Sequence, residues 1–154
     1  SLVVKNCDGI MPALPADISG DDAELLAAAD GLLGKVRAEF DQQAFHEGWR
    51  LIWDVIAEAN RYIDTQAPWA LKKTDINRMG EVLAIIVETI RQIAILVQPV
   101  MPQSAAKLLD QLMVPDDARG FEYIAGRARL TSGIAIKKPQ GVFPRYQEPE
   151  GEGA

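Results

Sequence analysis

Apolar side chains recur along this chain at helical spacing, in blocks separated by prolines and short polar turns. Leu25, Leu26, Ala29, Leu33, Val36 and Phe40 fall at steps near 3.6 residues behind Ser19 and Asp21, two N-cap candidates, and predict a first long helix. A second, over about residues 41–65, puts Phe45, Gly48, Leu51, Ile52, Val55, Ile56, Ala59, Tyr62 and Ile63 on one broad face. Pro68 ends or re-aims it, because proline lacks a donor and biases the preceding residue out of the helical region. Residues 68–73 then read as a short turn or a single helical turn. A third helix, over about residues 74–98, is capped by Thr74 and stopped by Pro99. It is the most apolar: Met79, Val82, Leu83, Ile86, Val87, Ile90, Ile93, Ala94 and Val97 cover more than one stripe, which predicts a place in the middle of a bundle. A fourth starts near Pro102, runs through Ala105, Leu108, Leu109 and Leu112 to Met113, and closes at Pro115.

The flanks lack this periodicity. Residues 1–19 hold Gly9, Pro12 and Pro15 and read as an irregular connector. Residues 127–146, broken by Gly133, Pro139, Gly141 and Pro144, read as an extended strip laid over the bundle, with Ile134, Ile136, Val142 and Phe143 as anchors. Residues 147–154 read as a disordered acidic tail. The fold class predicted is all-α: an antiparallel helix bundle of about four main helices over residues 20–126, with an extended C-terminal segment packed on it.

Length and composition agree with this picture. A chain of 154 residues, 25% charged and 48% hydrophobic, has the make-up of one globular domain. One cysteine, Cys7, excludes an internal disulfide, and one histidine, His46, excludes a Cys/His zinc cluster. The uncharged run from Gln92 to Ala106 is too short to span a bilayer, and no signal peptide opens the chain, so a cytoplasmic location is expected. The net charge of −6 argues against indiscriminate nucleic-acid binding. Its distribution is uneven: Glu148, Glu150 and Glu152 sit in the tail, while Arg61, Lys72, Lys73 and Arg78 lie close together.

No catalytic centre is legible. His46 stands alone on an amphipathic helix, no glycine-rich loop follows a strand, and the carboxylates Glu81 and Glu88 read as part of a solvated face. The informative stretch runs from Asn60 to Lys73: a helix ends, Pro68 fixes a turn, and Trp69 stands at the corner with Lys72 and Lys73 behind it. Such a corner suits an unpaired base, the ring stacking on it while cations hold phosphates. Alternatively Trp69 plugs the end of the bundle, as Trp49 and Trp53 would elsewhere, and composition and spacing alone favour the plug.

The residues carry a resemblance. Asn60, Tyr62, Pro68, Trp69 and Lys72 in their spacing, the long apolar helix, and Gln98-Pro99-Val100-Met101-Pro102 followed by Ala105, Leu108 and Leu112 resemble the anticodon-binding helical domain of class I aminoacyl-tRNA synthetases. Among these the methionyl enzymes are most similar, since the closing Gly133-Ile134 to Phe143-Pro144-Arg145 and the opening Val4-Lys5-Asn6-Cys7-Asp8-Gly9 also resemble theirs. Leucyl, isoleucyl, valyl and cysteinyl enzymes carry relatives of the Pro-Trp element. A helical protein-interaction module is the reading from a different class.

The resemblance implies that Trp69 and Pro68 contact the anticodon loop of tRNA(Met), with the ring against the first anticodon base. It implies that Asn60, at the anticodon site, holds its helix end by side-chain hydrogen bonds, and that Arg61, at the same site, meets phosphates together with Lys72 and Lys73. The His-Ile-Gly-His and Lys-Met-Ser-Lys-Ser signatures of the catalytic domain are absent. The implied role is therefore positioning a tRNA for a catalytic domain of the same parent, which uses ATP and Mg, whereas no cofactor, metal or zinc is expected in these residues. By the same resemblance residues 1–19 follow a bundle helix that this chain lacks, leaving an apolar face through which copies would self-associate.

Overall fold

The computed structural model describes residues 1–143. Among the described residues six α-helices follow one another: α1 Leu2–Asn6, α2 Gly20–Asp41, α3 Phe45–Gln66, α4 Pro68–Thr74, α5 Ile76–Leu96 and α6 Pro102–Gln111. Three single 3-10 turns, Asp116–Ala118, Phe121–Tyr123 and Gly126–Ala128, follow. The predicted all-α bundle is present, with α5 at its centre, packed by α2, α3, α4 and α6. Fourteen of its 21 residues are buried, among them Met79, Val82, Leu83, Ile85, Ala94 and Ile95.

Several boundaries differ from the sequence reading. Residues 2–6 form a short helix whose Val3 packs with Met11, Met79, Leu83 and Val87, so the irregular connector begins only after it. The second long helix starts at Phe45, because Gln43 takes a left-handed φ of 62° and breaks the chain between α2 and α3. Asp75, not Thr74, caps α5: its carboxylate accepts a hydrogen bond from the Arg78 backbone N–H at 2.9 Å. The connectors at the two ends pair with each other through an antiparallel bridge between Ile10 and Ala135, with the Met11 N–H donating to the Ile134 carbonyl at 2.8 Å. Ile134 and Ile136 are half-buried against the α1–α5 cluster. Phe143 is not an anchor: it is 63% exposed, at the lip of a groove. The acidic tail, 147–154, lies outside the described residues.

Glu88 overturns the solvated-face reading. It is fully buried and pairs with Arg91, whose Nη2 donates to Glu88 Oε1 at 2.6 Å and whose Nε donates to Oε2 at 2.9 Å. Two buried ions survive only with their remaining hydrogen-bonding capacity filled. The Leu130 N–H donates to Glu88 at 3.0 Å, and Arg91 donates to the carbonyls of Tyr123 and Ile124. Gln92 and Arg129 both donate to Asp30 on α2. This cluster fastens residues 121–130 to the bundle, where apolar spacing gives no signal.

Candidate nucleic-acid interface

The corner that presents Trp69 is built by one residue. Ala67 adopts φ 44° and ψ 61°, serving as the C-cap of α3 and the N-cap of α4 together. A non-glycine residue in the left-handed region is uncommon, and the proline that follows disfavours the right-handed alternative. The helix therefore cannot run on, and α4 leaves at a new angle. Pro68 occupies its first turn, where its missing N–H costs nothing.

The two faces of α4 differ. Pro68 is buried and Leu71 is half-buried against Met79 and Tyr62 neighbours in the core. Trp69 is 52% exposed, and Lys72 and Lys73, three and four residues on, are exposed along the same side of the helix. Trp69 is accordingly no plug, which corrects the preference drawn from spacing alone. Trp53 is no plug either, at 66% exposed, whereas Trp49 is half-buried against Phe40.

Behind the corner lies an ion network. Arg78 donates to both oxygens of Asp22 at 2.6 and 2.7 Å and to Gln66 Oε1 at 2.8 Å. The buried Tyr62 hydroxyl donates to Asp22 at 2.7 Å. Hydrogen bonds from Arg78 hold the Asp22 carboxyl below the usual carboxylate range, against its desolvation and with help from Tyr62. Burial and the Asp22 contact push the Tyr62 hydroxyl upward, so it stays a neutral donor. Arg78 thus belongs to this network and is not a fourth outward cation of the basic cluster; its partner Asp22 lies 56 positions away, beyond the reach of local charge counting.

The other predicted residues sit apart from α4's outer face. Arg61 is exposed in a shallow depression with Asp21, Glu24 and Glu58, whose negative charges oppose a phosphate there. Asn60 is exposed at the rim of a different feature, and among the described residues no side-chain hydrogen bond joins it to the neighbouring connection. That feature is an apolar groove of about 500 Å³ between α3, α5 and α6, lined by Trp53, Ile56, Ile90, Ile93, Met101 and Leu108. His46 is exposed on the surface. Among the described residues no three His, Cys, Asp or Glu side chains converge to hold a metal, and no helix is long and apolar enough to cross a membrane.

Comparison with known proteins bears on this geometry. Residues 14–153 match the family described as the anticodon binding domain of methionyl tRNA ligase. The methionine–tRNA ligase of Rhizobium meliloti is 48% identical over 150 residues, covering 97% of this chain and 29% of that protein. That of Mycobacterium bovis is 45% identical over 154 residues, again covering 97% and 29%. Among solved structures, the apo form of Mycobacterium tuberculosis methionyl-tRNA synthetase superposes with a TM-score of 0.90 at 44% identity, over 97% of this chain and 30% of the other. The same enzyme in complex with methionyl-adenylate gives 0.88 at 44% identity, over 94% and 28%. The chain spans under a third of the length of these relatives.

Proposed function

Since the chain belongs to the family of anticodon-binding domains of methionyl-tRNA ligases, we propose that it binds the anticodon loop of a methionine tRNA in the cytoplasm and orients that tRNA for aminoacylation by a catalytic domain of a longer parent. The observation that carries this reading is the half-exposed Trp69 on a corner fixed by Ala67 and Pro68, with Lys72 and Lys73 on the same outer side. The indole offers a flat apolar face to the first anticodon base, and the lysines offer point charges to flanking phosphates. Pro68 holds the corner from inside. Arg61, among acidic neighbours, and Asn60, at the groove rim, contribute at the margin of the footprint. ATP and Mg serve the parent's adenylation step; the residues described here contribute recognition.

The test is a tryptophan-fluorescence titration with two RNA hairpins, one bearing a CAU loop and the other the same loop with its first base changed, at low and at physiological salt. Tighter binding of CAU that survives added salt supports base reading at Trp69. Equal, salt-sensitive binding refutes it, leaving only a backbone footprint.

The apolar groove supports a second property. With Trp53 and Phe143 exposed at its edge, we propose that copies of this chain associate through it, because exposed apolar patches of this kind find partners. Sedimentation velocity at rising concentration tests this, and a clean monomer throughout refutes it.

A further inference from the structure

Helix α4 has seven residues, far fewer than a helix needs to hold itself together in water. Its angle, and with it the direction of the Trp69 ring, must be set by what grips its two ends and its inner face. Both ends lead to Arg78. At the entry, Gln66 closes α3 just before Ala67 and Pro68, and its side-chain oxygen accepts from Arg78 Nη2 at 2.8 Å. At the exit, Asp75 ends α4 through its N–H to the Leu71 carbonyl at 2.7 Å, and its carboxylate accepts from the Arg78 backbone N–H at 2.9 Å. Arg78 is itself fixed, because its guanidinium makes a two-pronged contact with Asp22, whose side chain is only 5% exposed, and Asp22 also receives the Tyr62 hydroxyl. A planar guanidinium with two prongs on a carboxylate and a third donor on an amide has one orientation open to it, which an ammonium group cannot reproduce.

We propose that Arg78 is a positioning residue for the anticodon loop: clamped to Asp22, its guanidinium holds the entry of α4 through Gln66, its backbone N–H meets Asp75 at the exit, and it so sets the angle at which Trp69 meets the base. The role rests on the reading of Trp69 as a stacking platform. It differs from a purely structural staple in one respect. Cutting the Arg78–Gln66 contact moves Trp69 while leaving the Asp22 pair, and the bundle it joins, in place.

The test uses the chain labelled with fluorotryptophan, the Trp69 fluorine resonance being the one lost in Trp69→Phe. Gln66→Met removes the acceptor facing Arg78 together with the Nε2 donor to Asp21, Asp21→Ala removes that second contact alone, and Arg78→Lys keeps the charge without the fork. We expect Gln66→Met and Arg78→Lys to melt cooperatively and to shift and broaden the Trp69 resonance without RNA. Their affinity for the CAU hairpin should fall about tenfold, a part of the ~5- to 150-fold that one stacked base is worth. Asp21→Ala should leave both readouts as in wild type, which assigns the loss in Gln66→Met to the Arg78 contact. An unchanged Trp69 resonance and unchanged hairpin affinity in both disrupting variants would overturn the role of Arg78 alone. Failure of the wild-type chain to distinguish the CAU hairpin from the one with its first base changed would overturn the stacking reading, and this role with it.

Discussion

A double-mutant cycle between Trp69 and the first anticodon base examines the proposed contact without confusing it with stability. The two changes are Trp69→Ala in the protein and removal of the first base of the CAU loop, leaving its sugar and phosphate. A tryptophan side chain offers up to ~250 Å², so 52% exposure leaves about 130 Å² for a partner. Covering half to all of that surface at ~25 cal/mol/Å² gives about 1.5–3 kcal/mol, which agrees with the ~1–3 kcal/mol measured for stacked bases. The other half of the ring already rests on the bundle. Trp69→Ala must therefore also cost stability, at most ~3 kcal/mol by the same coefficient. A binding loss from the single variant would mix the two effects, whereas the cycle separates them.

Binding is measured by calorimetry at a temperature well below the melt of both proteins. In the wild type, removing the base should weaken binding by about 1–3 kcal/mol. In Trp69→Ala the same removal should cost nearly nothing, because the ring it would have left is already gone. If the base is worth the same in both proteins, within the ~0.5 kcal/mol expected of independent sites, then ring and base do not touch and the stacking assignment is wrong.

Three further predictions concern the scaffold. Glu88→Leu strips the buried Arg91 of its anion and should cost about 3–5 kcal/mol in urea unfolding; adding Arg91→Met should recover only part, because the Leu130 N–H and the Tyr123 and Ile124 carbonyls stay unpaired, and a loss below ~1 kcal/mol in Glu88→Leu would contradict the buried pair. Because the folded Asp22 carboxyl titrates below its unfolded value, its stabilisation is complete above the unfolded carboxylate pKa near ~4 and is lost as pH falls through the lower folded value; melting temperatures should drop over that acid window, and Asp22→Asn should flatten the drop, an identical acid limb in both proteins being the refuting result. A Cβ at Gly48 would overlap the Phe40 ring, so Gly48→Ala should lose ~1–3 kcal/mol by overpacking despite better helix propensity, whereas Gly34→Ala, with open space around it, should gain up to ~1 kcal/mol; thermal melts that rank the two variants the other way would refute the packing.

The parts of this fold that were legible in the sequence are those that short-range periodicity encodes. The apolar stripe of α3, the near-continuous apolar circumference of α5 and the breaks at Pro68, Pro99 and Pro115 each follow from residues within a few turns of one another, and the bundle follows from them. The site was legible in outline by the same kind of signal, since Pro68 both stops α3 and starts α4, which leaves Trp69 at a corner. The exposure of that ring was not legible. Whether a tryptophan at a corner points in or out depends on which of Pro68, Trp69 and Leu71 takes the inner side of α4, and the core decides this by burying Pro68 and receiving Leu71 against Met79 and Val82 of α5.

Charge pairing is hidden from local sequence for a related reason. A glutamate on a helix is counted as solvated until a partner is found for it, and among the described residues the one hydrogen bond to Glu88 from outside its own helix comes from the Leu130 N–H, 42 positions away. Sequence proximity to Lys72 and Lys73 places Arg78 among the cations of the corner, yet its charge is spent on Asp22. These two pairings share a consequence for the function. The cations at the corner that face solvent are fewer than the sequence suggests, and the one withdrawn is placed to govern the geometry of the aromatic. A domain of net charge −6 gains little from long-range attraction to RNA, so the proposed discrimination must rest on short-range contacts whose strength depends on orientation. A rigid corner held by a half-buried guanidinium supplies orientation, and that is why the Arg78 clamp and the Trp69 ring should fail together in RNA binding while failing separately in stability.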